Sequence, residues 1–118
     1  MNLILHEYNV TPDVTQRNEV SVQIAGGTVL YNGKRAQSAE FAKDVEKLIT
    51  SAQKPLMQCK GLQPASTKSG RQKMLAVTWD QLGKDTITIF GNTDNQEVAA
   101  FYNELTRRVI AVVEKYTN

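Results

Sequence analysis

His6 is the only histidine and Cys59 the only cysteine of the 118-residue chain, so the side chains most used for proton shuttling, nucleophilic attack and zinc binding occur once each. A Ser–His–acid or Cys–His arrangement needs an imidazole beside the nucleophile to take its proton. His6 falls in an apolar N-terminal stretch near the expected core, where a structural or merely exposed ring is the plainer reading. Zinc sites draw several His or Cys ligands together, which one of each cannot do. Carboxylates alone could still hold a hard cation, but no calcium-loop spacing occurs. Cys59 stands between Gln58 and Lys60, and a neighbouring ammonium can lower a thiol pKa and make it reactive. A lone cysteine more often fills a core as a small apolar group.

Two further patterns suggest chemistry and fail on their context. Asp80 and Asp85 flank a turn and could face each other as paired carboxylates, yet aspartate is common in turns and no general-acid environment is visible. The stretch from Gly61 to Ser69 has the outline of a phosphate-binding loop, but Ser66-Thr67 stand where Gly-Lys is required. It also follows a helical pattern rather than a strand, so backbone amides would not converge on a phosphate.

One charge asymmetry survives. Between Gln53 and Trp79, Lys54, Lys60, Lys68, Arg71 and Lys73 carry +5 with no acid, so with a net charge of +2 the remainder of the chain sums to −3. Such a segment could meet an acidic protein surface or a phosphate backbone, helped by Lys34 and Arg35 at a nearby turn. It lacks the interleaved aromatic residues on which bases stack, so a solvated loop with no partner is the plainest reading, followed by a protein contact and then nucleic acid. Trp79 could be an interface anchor, but it shares parity with Leu75 and Val77 and is expected in the core, leaving Tyr8 and Tyr31 as weaker candidates for exposed aromatics.

The elements that would position these residues follow from apolar periodicity. Residues 2–10 are apolar on both parities, the pattern of a central strand covered on both faces. Val20, Val22 and Ile24 alternate with polar residues in a half-buried strand. Thr28 to Tyr31 is a short strand ending at Asn32-Gly33, which suits a type I′ hairpin turn. Ser38 is a plausible N-cap for a helix with Phe41, Val45, Leu48, Ile49 and Ala52 on one stripe, stopped by Lys54-Pro55. Residues 55–72 read as a long connection, with a short strand around Leu56 to Cys59. Leu75 to Trp79 and Thr86 to Phe90 form a hairpin. Asp94 with Glu97 starts the clearest helix, whose apolar stripe runs from Val98 to Tyr116. The expectation is one α+β domain over residues 1–118, in the order β-β-β-α-loop-β-β-α. It has a mostly antiparallel sheet of about five strands and two amphipathic helices packed on one face.

A chain of this length can bury roughly two thirds of its unfolded surface, and its 41% hydrophobic content is that of a folded protein. The N-terminal residues lack the basic and apolar regions of a secretory signal, and no apolar run reaches membrane-spanning length. Asn9-Val10-Thr11 spells a glycosylation sequon that is read as chance. The single cysteine fits a reducing, cytoplasmic setting.

The expected function is therefore that of a non-catalytic protein-interaction domain, an inhibitor, immunity-type or adaptor protein, with no cofactor and with contacts at Lys34, Arg35, Lys54, Lys60, Lys68, Arg71 and Lys73. A nucleic-acid-contacting accessory protein using the basic segment, and a small enzyme or ligand carrier with a site made of ordinary polar residues, are the alternatives. The order of strands, helix, connection, hairpin and helix resembles that of small bacterial inhibitors such as the emfourin group. Without a shared motif, and lacking a Gly-Gly-Phe stretch near the N-terminus, the order alone assigns no family.

Overall fold

The computed structural model describes residues 1–10, 19–61 and 70–117. Six strands, β1 (Asn2–Val10), β2 (Val20–Ala25), β3 (Thr28–Tyr31), β4 (Lys34–Gln37), β5 (Gly70–Thr78) and β6 (Thr86–Phe90), make one sheet in the order β4-β3-β2-β1-β5-β6. Every neighbouring pair is antiparallel. The helices are α1 (Ala39–Ser51), the short α2 (Gln53–Gln58) and α3 (Gln96–Thr117), and Asp80–Leu82 forms a 3₁₀ turn between β5 and β6. The α+β class, the antiparallel sheet and the two long helices stand as expected from periodicity.

β1 is central, between β2 and β5, but among the described residues it is covered on one face only. Leu3 and Leu5 are wholly buried and lie opposite Ile24 and Val22 on one side and Val77 and Leu75 on the other. Those two face Ile87 and Ile89 on β6, so the register puts one apolar parity of every strand into the same layer. Phe41, Val45 and Ile49 of α1 and Tyr102, Leu105, Val109 and Val113 of α3 complete the cluster. The opposite parity, with Ile4 47% exposed, faces away from the helices. A continuous apolar run in the sequence therefore did not mean two covered faces.

Three local differences have simple causes. β4 is a sixth strand with only Ala36 apolar; its pairing comes from the turn, where Asn32 (φ 47°) and Gly33 (φ 87°) both take the left-handed conformation a type I′ hairpin demands. Asn32 also accepts a hydrogen bond from the Ser21 N–H through Oδ1 at 2.8 Å, tying the turn to β2. Residues 56–58 are helical rather than extended, with Cys59 as the C-cap of α2. Pro55 has no N–H for the Ser51 carbonyl and its ring would strike it, so α1 breaks at Ala52 (φ −106°, ψ 7°). A new helix then starts with Pro55 in its first turn, where a missing N–H leaves no bond unmade. α3 is capped by Asn95, one residue beyond Asp94: Asn95 Oδ1 accepts from the N–H of Glu97 at 3.1 Å and Val98 at 3.2 Å. Ser38 caps α1 as expected, accepting from the N–H of Glu40 at 3.1 Å.

Candidate functional site

The residues singled out for their charge do not meet in space. Lys34 and Arg35 lie on β4 at one edge of the sheet, and three strands separate them from Arg71 and Lys73 on β5. Lys54 is exposed on α2. Lys68 lies outside the described residues. The segment that is free of acids in sequence is also not free of them in the fold. Lys60 Nζ donates to Asp85 Oδ2 at 2.7 Å, and Arg71 faces Glu7 at 3.5 Å while donating to Asn9 Oδ1 at 3.2 Å. Glu7 in turn accepts the Tyr102 hydroxyl at 2.7 Å, so Arg71 belongs to a link between β1, β5 and α3. Burial and the Glu7 carboxylate hold the Tyr102 proton well above the ordinary tyrosine range.

The candidate reactive groups are placed for structure. Burial pushes the Cys59 thiol up, opposite to what a reactive thiolate needs, and the adjacent Lys60 is turned to Asp85. Asp85 is drawn below the ordinary carboxylate value by its hydrogen bond from Lys60; a proton-sharing carboxylate pair would raise one member instead. His6 sits on the uncovered face of β1 rather than in the core, stacked on Tyr8 with ring centroids 4.7 Å apart and 3.9 Å from Glu19. Trp79 is partly buried against the core, and Tyr31 donates to Glu114 of α3 at 3.2 Å. Among the described residues no group of three His, Cys, Asp or Glu side chains could hold a metal ion.

The most continuous surface is the open face of the sheet. Register carries one row across all six strands: Arg35, Leu30, Gln23, Ile4, Ala76 and Thr88. The next row sets His6 beside Met74, which faces Phe90. Ile4 and Leu30 are 47% and 41% exposed, two of the three large apolar side chains that stand out among the described residues, and they flank Gln23 in that row. Above Asn2 and Ala25 the face dips into a shallow depression of about 340 Å³ bounded by Ile4 and Leu30. None of these residues carries a chemical motif. The signal available in the sequence was the second parity of β1, whose apolar Ile4 faces the same way as Leu30 once the pairing is known.

Compared with models of known protein families, with curated proteins and with solved structures, the chain finds no match. Among the described residues no helix is long and apolar enough to cross a membrane.

Proposed function

We propose that the chain is a non-catalytic interaction domain, of the inhibitor, immunity or adaptor kind, that binds a partner protein across the open face of its sheet. The observation that carries this reading is the exposed pair Ile4 and Leu30 on a six-strand face that no helix among the described residues covers. Gln23 lies between these two residues, and Thr88, His6 and Arg35 lie beyond them as a polar rim. Of the basic residues picked out from sequence, Arg35 falls in register with this face and is the one assigned to the rim. The burial of Cys59 and the ion pair that holds Asp85 to Lys60 support a binding role over a catalytic one. The single buried thiol suits a reducing setting, and we place the domain in the cytoplasm.

The test is capture of a partner from the native organism, followed by affinity measurement with the purified partner and Ile4→Thr/Leu30→Thr. Threonine keeps the β propensity of these positions while removing their apolar surface. Each anchor buried in a contact is worth about 1.5–3 kcal/mol, so the double variant is expected to bind at least about tenfold more weakly. Unchanged affinity would remove the open face from the contact. Failure to recover any stoichiometric partner would count against the class itself.

A further inference from the structure

α1 and α3 run antiparallel on the helical side. Asp44 accepts from Tyr116 at 2.5 Å and lies 3.9 Å from Lys115, whereas Ser51, two turns further along α1, accepts from Arg108 at 3.3 Å. Their outer sides enclose an open groove of about 480 Å³. Leu48 and Val112 form its apolar floor with Ala111 beside them, and Lys47, Arg107, Arg108 and Lys115 line it. At Ser51 it continues into a second concavity of about 560 Å³ that includes Lys54 and the exposed Met57. From Asp44 to Ser51 the groove is about 10 Å long at the helical rise, and α2 extends the path by a similar amount.

The charge of this path is one-sided. Among the described residues Asp44 is the only acid lining it, and that carboxylate already meets Tyr116 and Lys115. Arg107 is paired with Glu104 at 2.7 Å. Lys47, Lys54 and Arg108 make no ion pair among the described residues. Cations alone would suit any polyanion, but here they stand beside Leu48, Val112 and Met57. A phosphate backbone has nothing to bury there, whereas an amphipathic helix has an apolar stripe for the floor and acidic flanks for the rim. A second copy of this chain does not fit, because the exposed residues of its own α1 (Glu40, Lys43, Glu46) and α3 (Glu104, Arg107, Glu114) carry both signs.

We infer that the groove between α1 and α3, continued along α2, is a docking site for an acidic amphipathic helix of a partner protein. It rests on the reading of the chain as an interaction domain but uses the surface opposite the open sheet face. Electrostatic complementarity selects the acidic partner and orients it, and the floor supplies the apolar contact.

The probe is a synthetic helical peptide of about four turns with a leucine stripe flanked by glutamates, compared by fluorescence anisotropy with a scrambled peptide of the same composition and with duplex and single-stranded DNA of equal charge. The ordered peptide should bind at least about tenfold more tightly than the scrambled one, and Lys47→Glu/Arg108→Glu should weaken it by at least about tenfold. Ile4→Thr/Leu30→Thr should leave peptide binding unchanged, which separates this site from the sheet face. Both reversed residues are exposed, and circular dichroism checks that the variant folds; if it does not, Lys54→Glu alone carries the same expectation. Equal binding of ordered and scrambled peptides, indifference to the charge reversals, or tighter binding of DNA would overturn the inference. None of those results would touch the role of Ile4 and Leu30.

Discussion

At the residue scale, the most consequential group is Tyr102, because it joins three elements through one hydroxyl. The ring is wholly buried against the core, and its hydroxyl donates to Glu7, a carboxylate that also faces Arg71. Removing the hydroxyl leaves Glu7, whose side chain is 15% exposed, short of a donor it cannot replace with freely mobile water. Tyr102→Phe is expected to lower stability by about 1–3 kcal/mol, read as a shift in the denaturant midpoint without a change in slope. Gly91 is the complementary case. A Cβ there would lie 2.6 Å from the Tyr102 ring and 2.9 Å from Lys73 Cβ, and the ring cannot swing away without breaking its bond to Glu7. Gly91→Ala should therefore destabilise by about 1–3 kcal/mol, although alanine ordinarily favours a folded chain over glycine. Arg71 was legible as a cation but not as a partner of Glu7, since the two are brought together only when β5 pairs with β1. The same pairing brings the acid-free segment of the sequence to Glu7, and the packing of α2 beside β6 brings Lys60 to Asp85.

At the element scale, α3 is fastened to three other elements by tyrosine–carboxylate hydrogen bonds. Tyr102 reaches Glu7 on β1, Tyr31 on β3 reaches Glu114, and Tyr116 reaches Asp44 on α1. All three hydroxyls hold their protons more tightly in the folded chain: Tyr102 and Tyr31 chiefly through burial, and Tyr116, pushed up to about 12, chiefly through its bond to Asp44. A raised pKa means that the unfolded chain loses its protons first. The stability linked to these groups is thus complete below about pH 10, the ordinary tyrosine value, and is lost as pH rises through the folded values. Denaturation curves should be level from neutral pH to about 9, bend down there because the buried Cys59 thiol is also held up, and fall steeply from about 10 towards 12, and Tyr116→Phe should flatten the steep part. Capping gives a second prediction. Asn95→Ala should cost about 1 kcal/mol, because its side chain accepts from two helix N–H groups, whereas Asp94→Ala should cost much less, read as paired thermal midpoints. Periodicity located α1 and α3 because a helical stripe repeats over many residues. It placed the start of α3 one residue early because Asp94 and Asn95 are equally good caps by type. β4 was unreadable for another reason: a four-residue edge strand is held by backbone bonds and turn geometry, neither of which leaves an apolar pattern.

At the scale of the whole molecule, helices cover one side of a six-strand sheet, and among the described residues none lies on the other. Exposed ion pairs such as Glu104–Arg107 contribute little to holding this arrangement, so the work falls to the cluster of buried side chains between sheet and helices. Which face of β1 is covered could not be read from residues 2–10, where both parities are apolar; it depends on where two distant helices pack. Ile4 and Leu30 escaped notice for that reason, as did the groove, whose Leu48 and Val112 read as core and whose Lys47 and Arg108 read as a solvated surface. The open face is proposed as a protein-binding surface, and methyl-resolved NMR of the chain saturated with its captured partner tests this directly: the Ile4, Leu30 and Met74 methyl signals are expected to shift or broaden on binding. Signals at Ile4 and Leu30 that remain unchanged at saturation would contradict it.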